Sequence, residues 1–155
     1  MTQEEKQLLL KDLCARLPYG VIVNTPSNIF YSTNREDVKL DSIFEIDDNF
    51  YVTEDCEWPI ETCKPYLRPL SLMTEEEAKD IVTLIGIKDI ISINITEKYI
   101  NVIKDDGFCS TETITIWFNE IVSSIEIFDY LNVHHFDYRN LIEKEFAIEA
   151  PEGMY

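Results

Sequence analysis

The pattern of apolar and polar positions predicts three amphipathic helices separated by short strands. Thr2 and Glu5 form a capping box, T-x-x-E, at the start of the first helix, which should run to about Arg16. Leu10, Leu13, Cys14 and Leu17 keep the i, i+3, i+4, i+7 spacing of one buried face, with Cys14 as a small core hydrophobe, and Pro18 and Gly20 end the helix. Thr74 and Glu77 repeat the box. Ala78, Ile81, Val82 and Ile85 give the second buried face, and Gly86 is a natural stop. A third helix, over about 120–134, places Ile121, Ile125, Phe128 and Leu131 on one stripe, and His135 falls on that stripe too.

Between the first two helices the chain reads as short strands and polar turns. Tyr19 to Asn24 is the first strand, and Asn24 to Asn28 carries turn chemistry. Asp41 to Ile46 and Asn49 to Thr53 make a hairpin around Asp47-Asp48, and Ile60 to Cys63 makes a further short strand. Lys64 to Pro69 should be an extended connector, because each proline pushes its predecessor away from helix. After the second helix, Ile91, Ile93 and Ile95 alternate with polar residues, Tyr99 to Lys104 pairs back, and Asp105-Asp106-Gly107 turns into Thr113 to Phe118. This is an antiparallel meander with one face covered. From Phe136 to Ile148 the chain is too apolar for a free tail, whereas Pro151 to Tyr155 should be loosely held. The expected class is α+β, with helices packed on antiparallel sheet. A small N-terminal curled or barrel-like β region is followed by helix, three-stranded meander and helix. No composition shift marks a linker, so residues 1–155 are expected to form a single compact domain.

Charge narrows the functions open to such a domain. The net charge is −17, which disfavours direct binding to nucleic acid, since phosphate recognition rests on Lys and Arg. It disfavours an anionic membrane surface equally, and no apolar run reaches the ~20 residues of a membrane span. The acidic start MTQEEKQLLLK is unlike a signal peptide. Cys14, Cys56, Cys63 and Cys109 form no C-x-x-C pair and are expected to be reduced thiols of a cytoplasmic protein. The acids between residues 35 and 57 lack the alternating ligands and central glycine of a calcium loop, so Asp47, Asp48, Glu54 and Asp55 read as a solvated face.

The densest candidate chemistry is His134, His135, Asp137, Tyr138 and Arg139. Imidazole titrates near neutrality, a nearby carboxylate can orient it, and a guanidinium can hold an anion. Adjacent histidines point apart, however, and the H-E-x-x-H arrangement is absent. The simpler reading is a core-edge His135 with hydrogen-bonded ring nitrogens. Phosphate-binding glycine loops and the G-x-S-x-G elbow are also absent, and nothing local activates Cys109.

The blocks KQLLLKDLCARLPYGV, KPYLRPLSLMTEEE and LNVHHFDYRNLIEK…AIEAPEGMY resemble a family of short, uncharacterised proteins from gut-bacterial phages and mobile elements. The blocks lie at the start, middle and end, so the resemblance spans most of the chain. That family often has glycine where this chain has Asn140. The resemblance implies origin and compartment, and brings no catalytic residue with it. The expected function is therefore a non-enzymatic, acidic interaction or accessory protein that binds a host or phage protein, without cofactor or metal. The alternatives are a small hydrolase-like enzyme using the His134/His135 region, and a DNA-mimic inhibitor whose carboxylates stand in for phosphates.

Overall fold

A computed structural model of the chain describes residues 1–26, 36–46, 49–53, 57–107, 110–121 and 124–155. The fold is α+β, as the patterning predicts. No linker is visible in the sequence, yet the chain divides into two compact units. One comprises Met1–Leu67 together with Asn140–Tyr155, and the other comprises Arg68–Arg139.

The first unit opens with α1 (Gln3–Arg16), capped as predicted: Thr2 accepts from the Glu5 N–H at 3.2 Å and Glu5 accepts from the Thr2 N–H at 2.6 Å. Its strands are β1 (Ile22–Thr25), β2 (Glu36–Lys39), β3 (Ser42–Ile46), β4 (Asn49–Thr53), β5 (Glu57–Pro59), β6 (Lys64–Leu67) and, after the second unit, a two-residue strand, Ile148–Glu149. One sheet has that last strand, β6, β1 and β2 in order, and the other has β3, β4 and β5. The β3–β4 hairpin has the expected register, with Ile46 opposite Asn49, while its tip at Asp47-Asp48 lies outside the described residues. Glu54, Asp55, Cys56 and Cys109 also lie outside them.

Four expectations for this unit need correction. The buried face of α1 is Leu9, Asp12, Leu13 and Arg16, and Cys14 is exposed. The spacing was that of a helix, but the phase was off by one position. A charged pair occupies half of the buried stripe, and apolar patterning cannot see it. Ile60–Thr62 is a 3-10 turn rather than a strand, and its Ile60 is fully buried. Lys64–Leu67 is extended as Pro65 requires, yet it is an inner strand rather than a connector. It pairs antiparallel with β1 and parallel with Ile148–Glu149, so the sheet is mixed. Finally, the C-terminus is pinned. The Tyr155 hydroxyl accepts from the Ile22 N–H at 3.2 Å and donates to the Tyr66 carbonyl at 3.0 Å, and burial raises its pKa.

The core of this unit joins Leu9 and Leu13 of α1 to Val21, Val23, Val38, Leu40, Ile60, Cys63 and Leu67, and to Leu141 and Ala147 from the C-terminal segment. Asn140, which opens that segment, sits at φ 55°, a left-handed conformation that glycine or asparagine adopts most readily.

The second unit holds α2 (Glu75–Leu84), β7 (Ile90–Ile95), β8 (Tyr99–Asp105), β9 (Thr111–Trp117), the one-turn helix α3 (Phe118–Ile121) and α4 (Ile125–Val133); the strand Ile148–Glu149 of the first unit is β10. The Thr74–Glu77 capping box forms, and Ala78, Ile81 and Val82 are buried as expected, while Ile85 is exposed. The end of α2 is a Schellman motif. Gly86, at φ 87°, donates to the Thr83 carbonyl and Ile87 donates to that of Val82.

The strands form the predicted antiparallel meander in the order β7, β8, β9. Ile93, Ile95, Ile100, Val102, Ile114 and Ile116 share its core face with Ile81, Val82, Ile127, Leu131 and Phe136. Ile91 does not join them. The register shifts between Ile90 and Ser92, so Ile90 takes the core contact and Ile91 stands 58% exposed at the bulge. The third helix is likewise not continuous. α4 restarts after Ser124, its buried face is Ile127 and Leu131, and Ile125 is 83% exposed. The restart resets the helical phase, which one uninterrupted period could not anticipate.

Candidate functional site

α4 ends in a second Schellman motif, and this sets the two histidines apart. His134 is the C-cap, His135 follows at φ 57°, and the His135 and Phe136 N–H groups donate to the carbonyls of Asn132 (3.1 Å) and Leu131 (2.9 Å). His135 is thus buried, at 3% exposure, because the chain turns sharply there. It is not a continuation of the helical stripe. A left-handed conformation costs a side chain such as histidine on the order of 1 kcal/mol, so packing around the ring must hold it. The turn returns the chain to Arg68, whose N–H donates to the His135 carbonyl and whose carbonyl accepts from the Asp137 N–H, each at 2.8 Å.

His134 lies at the surface with a different set of neighbours. It stacks on Tyr130 with ring centroids 4.3 Å apart, and its Nδ1 is 3.5 Å from Glu77 Oε1. Glu77 is already engaged. Arg68 grips both of its oxygens at 2.7 and 3.0 Å, and Thr74 donates to it through its N–H and hydroxyl at 2.8 and 3.0 Å. Burial acts to raise the Glu77 pKa, but the bonds from Arg68 and Thr74 outweigh it and hold the carboxyl below its usual range. The Tyr130 hydroxyl donates to Asp80 at 3.1 Å, and burial together with that carboxylate pushes its pKa up. Arg68 also lies 4.3 Å from the Phe136 ring centre.

The five residues singled out from the sequence therefore separate. His134 joins Arg68, Glu77 and Tyr130. His135 and Asp137 are buried. Tyr138 donates to Asn132 at 2.9 Å and meets Phe128 edge-on, and Arg139 lies over the Phe128 and Tyr138 rings at 5.3 and 4.8 Å. The His134 group is a clamp between the α2 N-terminus, Arg68 and the end of α4. A general base must be within reach of a substrate proton, and here the carboxylate nearest the imidazole is saturated by fixed donors. Arg68, Glu77, Tyr130 and Asp80 were not anticipated as a group. The one available signal was Glu77 in its capping box. Among the described residues, no three His, Cys, Asp or Glu side chains are placed to hold a metal ion, and no helix is long and apolar enough to cross a membrane.

This division predicts unequal effects. His134→Ala should lower stability by about 0.5–1 kcal/mol, the worth of a surface aromatic stack. His135→Ala should cost roughly 2 kcal/mol or more, because it empties a buried ring position while keeping the left-handed backbone. Chemical denaturation of both variants beside the parent measures the difference, and equal costs would refute the assignment.

A second surface is distinguished by what it lacks. Opposite the core face of the meander, the alternation of the strands sets Ser92 and Asn94 of β7, Tyr99, Asn101 and Ile103 of β8, and Thr113, Thr115 and Trp117 of β9. The same alternation adds Thr111 and exposed Asp105 at the far end, so Asp105 alone of these ten side chains is charged, in a chain of net charge −17. Tyr99 and Trp117 are directly opposed and meet edge-on with centroids 5.0 Å apart, and Trp117 is 41% exposed. Thr115 donates to Asn101 Oδ1 at 2.8 Å across the same two strands. A shallow cleft of about 390 Å³, lined by Ser71, Thr96, Glu97, Lys98 and Tyr99, opens beside the aromatic pair. No protein-family model, curated protein or solved structure matches this chain.

Proposed function

We propose that this chain is a non-catalytic, acidic interaction protein, of the kind carried by phages and mobile elements, that docks a host or phage protein on the outer face of its meander. The observation that carries this reading is the charge-poor face, with Trp117 and Tyr99 at one end and its single charge, Asp105, at the other. The centres of protein interfaces are depleted in charge and enriched in Trp and Tyr, which supply large rigid contact area at low entropic cost. A net charge of −17 around such a face favours a partner with a basic rim and speeds its approach.

The reading is tested with a photo-crosslinking amino acid at position 115, on the face, and in a separate protein at position 79, exposed on α2. Both are expressed in a bacterial host carrying the parent element. A discrete cross-linked protein from position 115, absent from position 79 and lost when Trp117→Ala is added, is the expected result. Products that are the same from both positions, or no product from position 115, would overturn it.

A further inference from the structure

The β1–β6 ladder stops one pair early, and the side chain of Tyr155 stands in the gap. β1 and β6 pair antiparallel at Val23–Pro65 and Asn24–Lys64. Pro65 has no N–H, so Val23–Pro65 is a pair without mutual hydrogen bonds. Its neighbours in register, Asn24–Lys64 and Ile22–Tyr66, are then positions at which opposed residues exchange bonds. Ile22 and Tyr66 both lie within their strands, yet the register does not extend to them. The Ile22 N–H donates instead to the Tyr155 hydroxyl at 3.2 Å, and that hydroxyl donates to the Tyr66 carbonyl at 3.0 Å. One oxygen atom separates a donor and an acceptor that an unbroken ladder would join directly.

The path that brings Tyr155 there is local. The Ala150 N–H donates to the Leu67 carbonyl at 2.8 Å, where β10 ends against β6. The Met154 N–H then donates to the Pro151 carbonyl at 3.2 Å, closing a turn whose third residue, Gly153, sits at φ 79°. A type II turn needs a positive φ at that position, and glycine supplies it without strain. The turn hands Tyr155 back to the sheet, where its ring stays 41% exposed, at the surface of the unit.

We propose that Tyr155 is a removable wedge: when it leaves, β1 and β6 close by one pair and the Ile22 N–H donates directly to the Tyr66 carbonyl. The sheet thus has two states of one register, one spread by the hydroxyl and one zipped. Spread, the two backbone groups are each served by the hydroxyl. Zipped, they serve each other, and the hydroxyl passes to water. An unpaired backbone group is what makes opening a ladder costly, and neither state leaves one at this pair. The Pro151–Tyr155 segment is therefore a strap that lifts without loosening the sheet beneath it. β10 differs, because its removal would leave β6 with an open edge. The device lies within the first unit and does not depend on what docks on the meander.

Nuclear magnetic resonance of the isotope-labelled full chain tests the proposal through the scalar coupling that crosses a hydrogen bond from amide nitrogen to carbonyl carbon. The parent should show no such coupling between Ile22 and Tyr66, and the Tyr155 hydroxyl proton should give a nuclear Overhauser contact to the Ile22 amide. In Tyr155→Ala the coupling should appear, and the Ile22 amide should exchange with solvent no faster than in the parent. In a sheet that stayed spread, that amide would turn to water and exchange roughly fivefold faster, the worth of one hydrogen bond. Tyr155→Phe, which removes only the hydroxyl, should show the same coupling, and it decides if Tyr155→Ala fails to fold. A coupling already present in the parent, or a folded variant in which it stays absent, would overturn the proposal. So would a Tyr155→Phe chain that does not fold, since the zipped ladder should replace what the hydroxyl supplied.

Discussion

Replacing Asp12 by alanine is expected to destabilise the first unit by about 3–5 kcal/mol, more than most single substitutions remove. Asp12 and Arg16 are one turn apart on α1 and both side chains are fully buried. Arg16 Nε donates to Asp12 Oδ2 at 2.8 Å and its Nη2 donates to Oδ1 at 3.1 Å. The paired geometry offsets the cost of removing two charges from water, and removing the carboxylate withdraws both of these bonds, and the countercharge, from the buried guanidinium. The pair itself need not be worth much. A double substitution, Asp12→Leu with Arg16→Met, replaces both charges with apolar side chains and should recover most of the loss. Denaturant titration of the parent, the single and the double variant separates the two effects. A mild single variant, or a double variant as damaged as the single, would mean that the pair is not buried as described.

The second large effect should come from the C-terminal segment. Ending the chain after Arg139 removes Leu141 and Ala147 from the first core, the parallel strand β10, and the Tyr155 bridge between β1 and β6. Emptying a buried leucine position alone costs about 2–5 kcal/mol, and a domain's whole stability is only about 5–15 kcal/mol. The shortened chain should therefore lose the structure of residues 1–67. Limited proteolysis read by mass spectrometry should show rapid cleavage within α1 and β1. A protected 1–67 region would show that the segment is dispensable. Tyr155→Phe should cost only about 1 kcal/mol, the net worth of the lost hydrogen bonding.

What the sequence revealed and what it hid divide along physical lines. Both capping boxes, the Gly86 stop, the β3–β4 hairpin and the meander were legible because each is local, set by residues three or four apart or by strict alternation. The face of α1 was not, because Asp12 and Arg16 are buried as a pair and look like solvent-facing charges to any apolar template. Ile91 was misplaced for a similar reason, since one bulge inverts every alternation beyond it. The long reach of the C-terminal segment into the first core left no trace except its apolar composition. At the candidate site, His135 was expected to be buried and is, but through a left-handed turn rather than a helical stripe. Tyr130, on which His134 stacks, is one helical turn away, but the Glu77 carboxylate beside it and the Arg68 that holds that carboxylate come from a distant segment that no local motif could join to it. The charge-poor sheet face was written plainly in the alternation of Ser, Asn and Thr along three strands. It became visible as a surface only once the register had brought Tyr99 and Trp117 together.

The proposed docking face is tested most directly by comparative affinity capture from a bacterial lysate with three baits: the parent chain, Thr115→Ser and Thr115→Arg. Thr115 is exposed at the middle of the face, so either substitution should leave the fold intact, while arginine places a long charged side chain beside Asn101. The account predicts a partner retained by the parent and by Thr115→Ser and lost from Thr115→Arg, with unchanged thermal melting of all three baits. Recovery of the same partner at the same yield by Thr115→Arg would contradict it.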